Sequence, residues 1–279
     1  MKKKIGVIGY KGRVGTDLLK QEGYVPLDCD IRSERSVEKA ITSCKCDVVV
    51  SLASKSSPEW CENDDNFKEM FNVNVMGVFN LGEVTRKLDI PSVILSTDHV
   101  FSGKNYFDFS LKRWIKKGPY SEDYNRTVPV NQYGRSKLQG EYMANEYDNM
   151  KIVRTSYLFS SERDYKISTH FNPTRDETFP TFMYRSFMHL NHFIISLDKY
   201  LSRVDEMPKT LHISGSETLS WSHFVKSWLE MNGMRTDIRT HKKDKKEFAP
   251  RPHKAGLDVS LSAKLGLPQY SYRDGLELL

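Results

Sequence analysis

The sequence has no apolar run approaching bilayer length. Its 279 residues are 38% hydrophobic, broken throughout by charge, whereas a spanning helix needs about 18–20 consecutive apolar residues. The opening Met1-Lys2-Lys3-Lys4-Ile5-Gly6 lacks the apolar stretch and small-residue cleavage site of a secretory leader. Both absences point to a soluble protein of the cytoplasm, with no membrane partner. Cysteine is scarce, at four. Cys44-Lys45-Cys46 has no second Cys or His pair at zinc spacing, and Cys29 and Cys61 stand alone; a zinc module, a disulfide scaffold and a bound metal are therefore not expected. Internal repeats and low-complexity tracts are also missing, which removes solenoids and tethers. Acidic charge is in deficit, leaving a net +6. The basic runs Lys2–Lys4, Lys112–Lys117 and Lys242–Lys246 are short and separated, so solvated faces account for them better than a nucleic-acid footprint does.

What is present is alternation. Ile5–Ile8, Tyr24–Leu27, Cys46–Leu52, Pro91–Ser96 and Lys151–Thr155 read as strands. Cys-Asp-Val-Val-Val-Ser-Leu has the unbroken β-branched character of a strand covered on both faces. Between them, Thr16–Glu22, Val37–Ser43, Phe67–Leu88 and Tyr133–Tyr147 have helical spacing. Strands alternating with helices predict right-handed crossovers and a parallel sheet with ligands at the strands' carboxyl ends. The second half is less regular. Arg185–Leu190 reads as a strand, Asn191–Val204 as a helix, Thr210–Ser214 as a strand and Trp221–Met231 as a helix, while 161–181 and 235–256 are polar and irregular.

Gly9-Tyr-Lys-Gly12-Arg-Val-Gly15 follows the first strand and opens the first helix. Backbone without Cβ can turn tightly and approach a diphosphate, and a helix start offers free N–H groups. The spacing is Gly-x-x-Gly-x-x-Gly rather than the Gly-x-Gly-x-x-Gly fingerprint. After the second strand, Asp28 and Asp30 suit the ribose 2′-OH of NAD(H), and Lys11, Arg13, Arg32 and Arg35 suit the 2′-phosphate of NADP(H). The placement of Lys11 and Arg13 inside the loop favours NADP(H), with NAD(H) the alternative. A basic balance also suits ligands that carry diphosphates.

Tyr-x-x-x-Lys occurs twice, at Tyr133/Lys137 and Tyr147/Lys151. The second straddles a helix end and a turn, so its two residues are not expected to share a face. The first opens a helix, where residues four apart lie together. A phenol is a poor acid near neutrality, and an adjacent ammonium lowers its pKa. Tyr133 could then protonate the oxygen of a carbonyl receiving hydride, and Lys137 could also hold the nicotinamide ribose. Thr97, in Ser96-Thr-Asp-His-Val-Phe101 at a strand's carboxyl end, is placed to hydrogen-bond that carbonyl.

These segments, with Asp47–Ser54, Asn72-Val-Asn74, Pro129–Glu141 and Arg154-Thr-Ser156, resemble the extended short-chain dehydrogenases, and most nearly the dTDP-4-dehydrorhamnose reductase family. Arg251-Pro-His-Lys-Ala-Gly-Leu-Asp258 is similar to that family's Arg-Pro segment. The resemblance is dense over 1–156, patchy over 185–231, and returns at 251–266. It implies a Rossmann-like, doubly wound α/β fold with a smaller C-terminal substrate-binding subdomain. Residues 1–160 with 185–214 would bind the dinucleotide, and 161–184 with 215–279 the substrate. It makes Thr97, Tyr133 and Lys137 catalytic. Gly9, Lys11, Gly12, Arg13, Val14, Asp30, Ile31, Leu52, Ala53, Ser54 and Asn74 would lie along the cofactor with Tyr133 and Lys137. Asp98, His99, Val100, Phe101 and Arg251 would meet a nucleotide sugar, Arg251 as a diphosphate clamp. The implied reaction is NADPH-dependent reduction of a 4-keto-6-deoxy nucleotide sugar for surface glycans, with a homodimer as the default assembly. An epimerase, or an epimerase–reductase, and a non-catalytic NADP-binding regulatory subunit are the competing readings.

The sequence departs from the family's pattern at several places. His99 stands where the reductases usually carry Tyr, 103–118 reads as an insertion, 157–184 matches poorly, and the stretch around Asp28–Arg32 is compressed. Arg185–Phe193 is similar to a segment of sugar-nucleotide epimerases. Its His189 and His192 are read as parts of a strand and a helix start, without catalytic roles.

Overall fold

A run such as Val48-Val49-Val50 has no polar alternation and needs cover on both faces; all three residues are fully buried. The computed structural model describes residues 2–108, 112–115, 118–160, 178–234, 238–241 and 249–279. Lys116, Lys117, Lys242–Lys246 and most of 161–184 lie outside the described residues. Six strands, β1 (Ile5–Ile8), β2 (Tyr24–Leu27), β3 (Val48–Ser51), β4 (Ser92–Thr97), β5 (Met150–Thr155) and β6 (Thr210–His212), form one parallel sheet in the order β6-β5-β4-β3-β1-β2. The order reverses between β1 and β3, the switch point at which open α/β sheets bind ligands.

Helices cover both faces. They are α1 (Arg13–Leu18), α2 (Glu34–Cys44), α3 (Pro58–Cys61), α4 (Phe67–Phe71), α5 (Gly77–Lys87), α6 (Gln132–Asn145), α7 (Leu190–Ser202) and α8 (Trp221–Met231). One core joins Leu18 of α1 and Phe193, Leu197 and Leu201 of α7 to Val7, Val48, Val50, Val93 and Val153. The other joins Val37 and Ile41 of α2, Leu81 and Val84 of α5 and Ala144 of α6 to Ile8, Val49, Ile94 and Ile152. Alternate residues of each strand therefore feed opposite cores, as a doubly wound sheet requires.

Local signals set the boundaries. α1 begins at Arg13, ahead of the expected Thr16, because Gly12 already serves as its N-cap. Ser33 caps α2 by accepting from the Ser36 amide, and the helix ends at Lys45 in the left-handed region. The expected helix over Phe67–Leu88 is divided: Asn72–Met76 is wound as a π-helical turn between α4 and α5. Arg185–Leu190 is two separate strand pairs, Tyr184–Arg185 against Leu219–Ser220 and Met188–His189 against Leu158–Phe159. Within the 103–118 insertion, Tyr106–Asp108 pairs with Arg113–Ile115. Thr178–Pro180 pairs with Arg239–His241. Phe159, Phe187, Leu219, Phe224, Leu229, Tyr272 and Leu276 form a further apolar cluster on the C-terminal side, with Phe187 stacked on Phe224 at 4.1 Å.

All four cysteines are free thiols. Among the described residues, no helix is long and apolar enough to cross a membrane.

Candidate active site

The glycine loop follows β1 with three distinct constraints. Gly9 has φ +77°, and a Cβ there would stand 2.6 Å from the Ala53 amide nitrogen, because the loop after β3 crosses directly over it. A Cβ at Gly15 would meet the Tyr10 Cα at 2.5 Å, which is what brings α1 against its own loop. Gly12 differs: its φ is ordinary, and an added Cβ would meet only the Gly9 carbonyl, at 3.2 Å. A loop tightly packed at Gly9 and Gly15 and more open at Gly12 leaves backbone that a diphosphate could approach. Val14 and Leu52 pack at the rim of the first core, and Ala53 at the rim of the second. Ile31 is core, packed where Gly77 leaves room for it.

At the end of β2, Asp30 is held bidentately by Arg32, Nε to Oδ1 at 2.9 Å and Nη2 to Oδ2 at 2.8 Å. The guanidinium and the Arg32 amide hold this carboxyl below its usual range. Lys11 pairs with Asp28 at 3.3 Å.

Asn74 lies in the π-helical turn and is fully buried. Its Oδ1 accepts from Ser54 Oγ (3.1 Å) and the Lys55 amide (2.8 Å), and its Nδ2 donates to the Lys55 carbonyl (3.0 Å) and Ser136 Oγ (2.8 Å). Ser136 Oγ in turn donates to the Tyr133 carbonyl at 2.8 Å. One amide thus ties the loop after β3 to the helix that carries the Tyr/Lys pair. π-turns recur at functional sites because the extra residue re-aims side chains.

That helix, α6, starts because Asn131 caps it, Oδ1 accepting from the Gly134 amide at 2.7 Å. Asn131 Nδ2 also donates to the Pro250 carbonyl (2.8 Å) and faces His99 Nδ1 (3.0 Å). The amide being the donor, Nδ1 is the acceptor and the imidazole proton sits on Nε2. Burial, Arg185 and Arg251 hold His99 well below the usual imidazole range, so it is neutral near pH 7. Its ring meets Tyr133 edge to face, centroids 5.4 Å apart. Lys137, one turn further on, is buried, and burial lowers it to about 8 against the opposing pull of Glu141. The other pair behaves as its context suggests: Tyr147 donates to Glu83 at 2.9 Å and Lys151 lies on β5, so they share no helical face.

Thr97 ends β4. Its hydroxyl donates to Asp98 Oδ1 (3.2 Å) and accepts from the His99 amide (3.2 Å). Asp98 is 2% exposed, with Oδ2 taking Ser156 Oγ at 2.6 Å and Arg185 Nε at 3.3 Å. Burial pushes this carboxyl up, against Arg185, Ser156 and Thr97, which favour the carboxylate. Val100 and Phe101 have no exposed surface, Phe101 lying stacked on Tyr120 at 4.1 Å. Asp98, Val100 and Phe101, read from the sequence as substrate contacts, are enclosed, Asp98 against Ser156 and Arg185 and Phe101 against Tyr120. Arg251 is partly exposed, ion-paired to Glu59 of α3 and donating to the Ala249 carbonyl at 3.0 Å. From the C-terminal segment its charge acts on His99.

Four residues were given no role by sequence reasoning. Asn131, the cap of α6, is also the partner of His99. Arg185, Glu141 and Arg154 fell inside segments that resemble known families, but nothing there showed that the Arg185 guanidinium joins Asp98 to the carbonyls of Tyr184, Pro252 and His253, or that Glu141 and Arg154 form a buried pair. His189 serves as the N-cap of α7 and His192 stacks on Tyr270 at 3.9 Å, both structural, as read from the sequence.

Residues 3–279 match the RmlD substrate binding domain family. The chain belongs to that family. The RmlD match spans both the sheet and the C-terminal segment that supplies Arg251. A dTDP-4-dehydrorhamnose reductase of Sinorhizobium fredii is 30% identical over 210 residues, 71% of this chain and 65% of that protein's own length. The spore coat polysaccharide biosynthesis protein SpsK of Bacillus subtilis is 25% identical over 295 residues, covering 98% of this chain and 95% of its own. In three dimensions, the crystal structure of a Bacillus anthracis dTDP-4-dehydrorhamnose reductase in complex with NADP superposes with a TM-score of 0.84 at 20% identity, over 99% of this chain and 98% of that one. The RmlD chain described here thus has the Rossmann-like fold of the extended short-chain dehydrogenases.

Proposed function

We propose that this chain catalyses NADPH-dependent reduction of a 4-keto-6-deoxy nucleotide sugar of the dTDP-4-dehydrorhamnose kind, in the supply of deoxysugars for glycans. The observation that carries the reading is the placement of Tyr133 and Lys137 on one face of α6, with His99 against the tyrosine and Thr97 at the adjacent strand end. Support comes from the named reductases among its relatives. We divide the chain as the sequence suggests, 1–160 with 185–214 holding the dinucleotide and 161–184 with 215–279 the sugar nucleotide. A cytoplasmic homodimer completes the proposal.

The glycine cradle, Val14, the Leu52–Ser54 loop and Asn74 would hold the cofactor, with Lys137 on the ribose. When bound, the nicotinamide supplies the hydride. An acid already saturated by a guanidinium is a poor ribose acceptor. With Lys11 on Asp28 and Arg32 on Asp30, and Arg13 and Arg35 adding positive charge to the same two segments, the corner favours a 2′-phosphate and hence NADP(H) over NAD(H). Tyr133 gives its proton to the sugar oxygen, and the Lys137 ammonium makes that phenol a better acid. Thr97 turns its hydroxyl from Asp98 to the same oxygen, while neutral His99 fixes the Tyr133 ring. Arg251 meets the substrate diphosphate after exchanging Glu59 for phosphate oxygens. An epimerase needs a second acid–base pair; His189 and His192, the histidines of the epimerase-like segment, are instead spent on a helix cap and a ring stack.

The test is NADPH oxidation, followed by absorbance, with dTDP-4-dehydrorhamnose prepared in situ. Tyr133→Phe is expected to lower turnover by about 10²–10⁴-fold and to leave NADPH binding intact. Wild-type protein that binds NADPH but oxidises it with no nucleotide sugar would replace the reductase reading with the regulatory one.

A further inference from the structure

The chain has a buried ionic group beside its Tyr/Lys pair that the reaction above does not use. Tyr133, Lys137 and Glu141 are spaced by four residues along α6 and share a face. Glu141 is 2% exposed. Its Oε1 accepts from Arg154 Nε at 2.8 Å and from Ser96 Oγ at 2.5 Å, and its Oε2 from Arg154 Nη2 at 2.7 Å. Ser96 immediately precedes Thr97 on β4, and Arg154 lies opposite it on β5. The ion pair therefore fastens α6 to the two strands whose ends carry Thr97 and Ser156. A purely structural clamp could be apolar, and buried ion pairs are weak devices for stability.

We propose that Glu141 is a positioning residue for the reaction, a buried counter-charge one helical turn from Lys137 that sustains its ammonium, and that Arg154 meters this charge by sharing the carboxylate.

Other charged groups around α6 are committed elsewhere. On the 3-10 turn after β4, Asp98 pairs with Arg185 and His99 is neutral. From α3, α4 and α5, Glu59 pairs with Arg251, Glu62 accepts from the Gln132 amide, Glu69 pairs with Lys55, and Glu83 takes Tyr147 and Arg86. Beyond Arg154 stand Glu122, which accepts from the His212 amide, and His212 itself, neutral through burial. Against burial, the charge that sustains the Lys137 ammonium is Glu141. Among the described residues Arg154 Nη1 makes no hydrogen bond, and the guanidinium lies over the Phe101 ring at 5.2 Å, so its hydrogen bonds to a carboxylate all go to Glu141.

The inference rests on the catalytic reading of Tyr133 and Lys137, and its test is built to fail separately from that reading. Protein carrying [ε-¹³C]lysine is titrated by NMR without substrate, the Lys137 signal being assigned by its loss in Lys137→Met. Glu141→Gln removes the charge at nearly constant shape and should move the Lys137 titration down by about one pH unit, the effect of one close counter-charge. The alkaline limb of kcat/KM should fall to lower pH with it. Glu141→Asp, which keeps the charge, should restore most of the shift. Arg154→Met, which leaves the carboxylate to Lys137 alone, should move both readouts to higher pH. It also serves where Glu141→Gln does not fold. Titrations unmoved in both variants, or moved in the same direction, would reduce Glu141 to a structural clamp and overturn the proposal. A Lys137 titration that tracks Glu141 in a protein inert toward every nucleotide sugar would keep the counter-charge and remove the reductase reading.

Discussion

The three glycines of the first loop are alike in sequence and unlike in physics, and a substitution series separates their roles. Gly9→Ala forces a non-glycine residue into the left-handed region and a Cβ to within 2.6 Å of the Ala53 nitrogen. Its urea unfolding free energy should fall by more than about 2 kcal/mol. Gly12→Ala meets only one carbonyl, at 3.2 Å. Its stability should stay within about 1 kcal/mol of wild type, while NADPH affinity, read by fluorescence titration, falls at least about tenfold. Equal losses of stability in the two variants would contradict the cradle assignment. At this scale the placement of residues was legible wherever a residue type recurs at a fixed spacing: the glycine loop lies between β1 and α1, Tyr133 and Lys137 lie together on α6, and Thr97 ends β4. The sequence did not show that Asp98, Val100 and Phe101 are enclosed, because a motif says which residues follow a strand and not which of them turn back into the core. The Asn131–His99 and Asp98–Arg185 contacts join residues 32 and 87 positions apart, distances over which no local pattern speaks.

At the scale of elements, the sheet and its helices were legible because burial on both faces leaves uninterrupted apolar strands, and helices between them keep a 3.6-residue stripe. The break at Asn72–Met76 was not, since a π-turn keeps the apolar spacing on either side of it. What occupies the break is Asn74, and its four hydrogen bonds make α6 and the loop after β3 a single unit. Asn74→Ala removes the side-chain acceptor of the part-buried Lys55 amide and one of the two donors to its carbonyl, Cys61 Sγ being the other. It should cost about 2–3 kcal/mol, and kcat should fall alongside the rise in KM for NADPH because the helix bearing Tyr133 loses its anchor. A variant with normal kcat and raised KM would confine Asn74 to the cofactor side. The C-terminal elements were the least legible: strand pairs of two residues are too short to carry a period, and their partners lie 30 to 36 positions away.

Over the whole molecule, several histidines are buried uncharged. His189 is held down to about 4 and His212 to about 3, in each case chiefly by burial. Both lie below the ordinary imidazole value of 6.5, so the unfolded chain takes up protons first as pH drops. Stability is complete above about pH 6.5 and is lost progressively as pH falls through 4 and 3. Thermal melting should show a flat plateau near neutrality and a steep acid limb, and His212→Asn should flatten that limb. A melting temperature unchanged between pH 6.5 and 4 would rule out this account.

Arg185 grips the C-terminal segment entirely through main-chain carbonyls, those of Tyr184, Pro252 and His253. Such a grip is indifferent to side-chain identity. Positions 253 and 254 can be exchanged while the segment stays docked through its backbone on Ser102, Gly103 and Tyr184, so selection can retune its side chains without moving the segment. Substitutions at these positions should alter discrimination among sugar nucleotides over a wide range at nearly constant melting temperature, which makes this short segment the natural place to begin redirecting the enzyme.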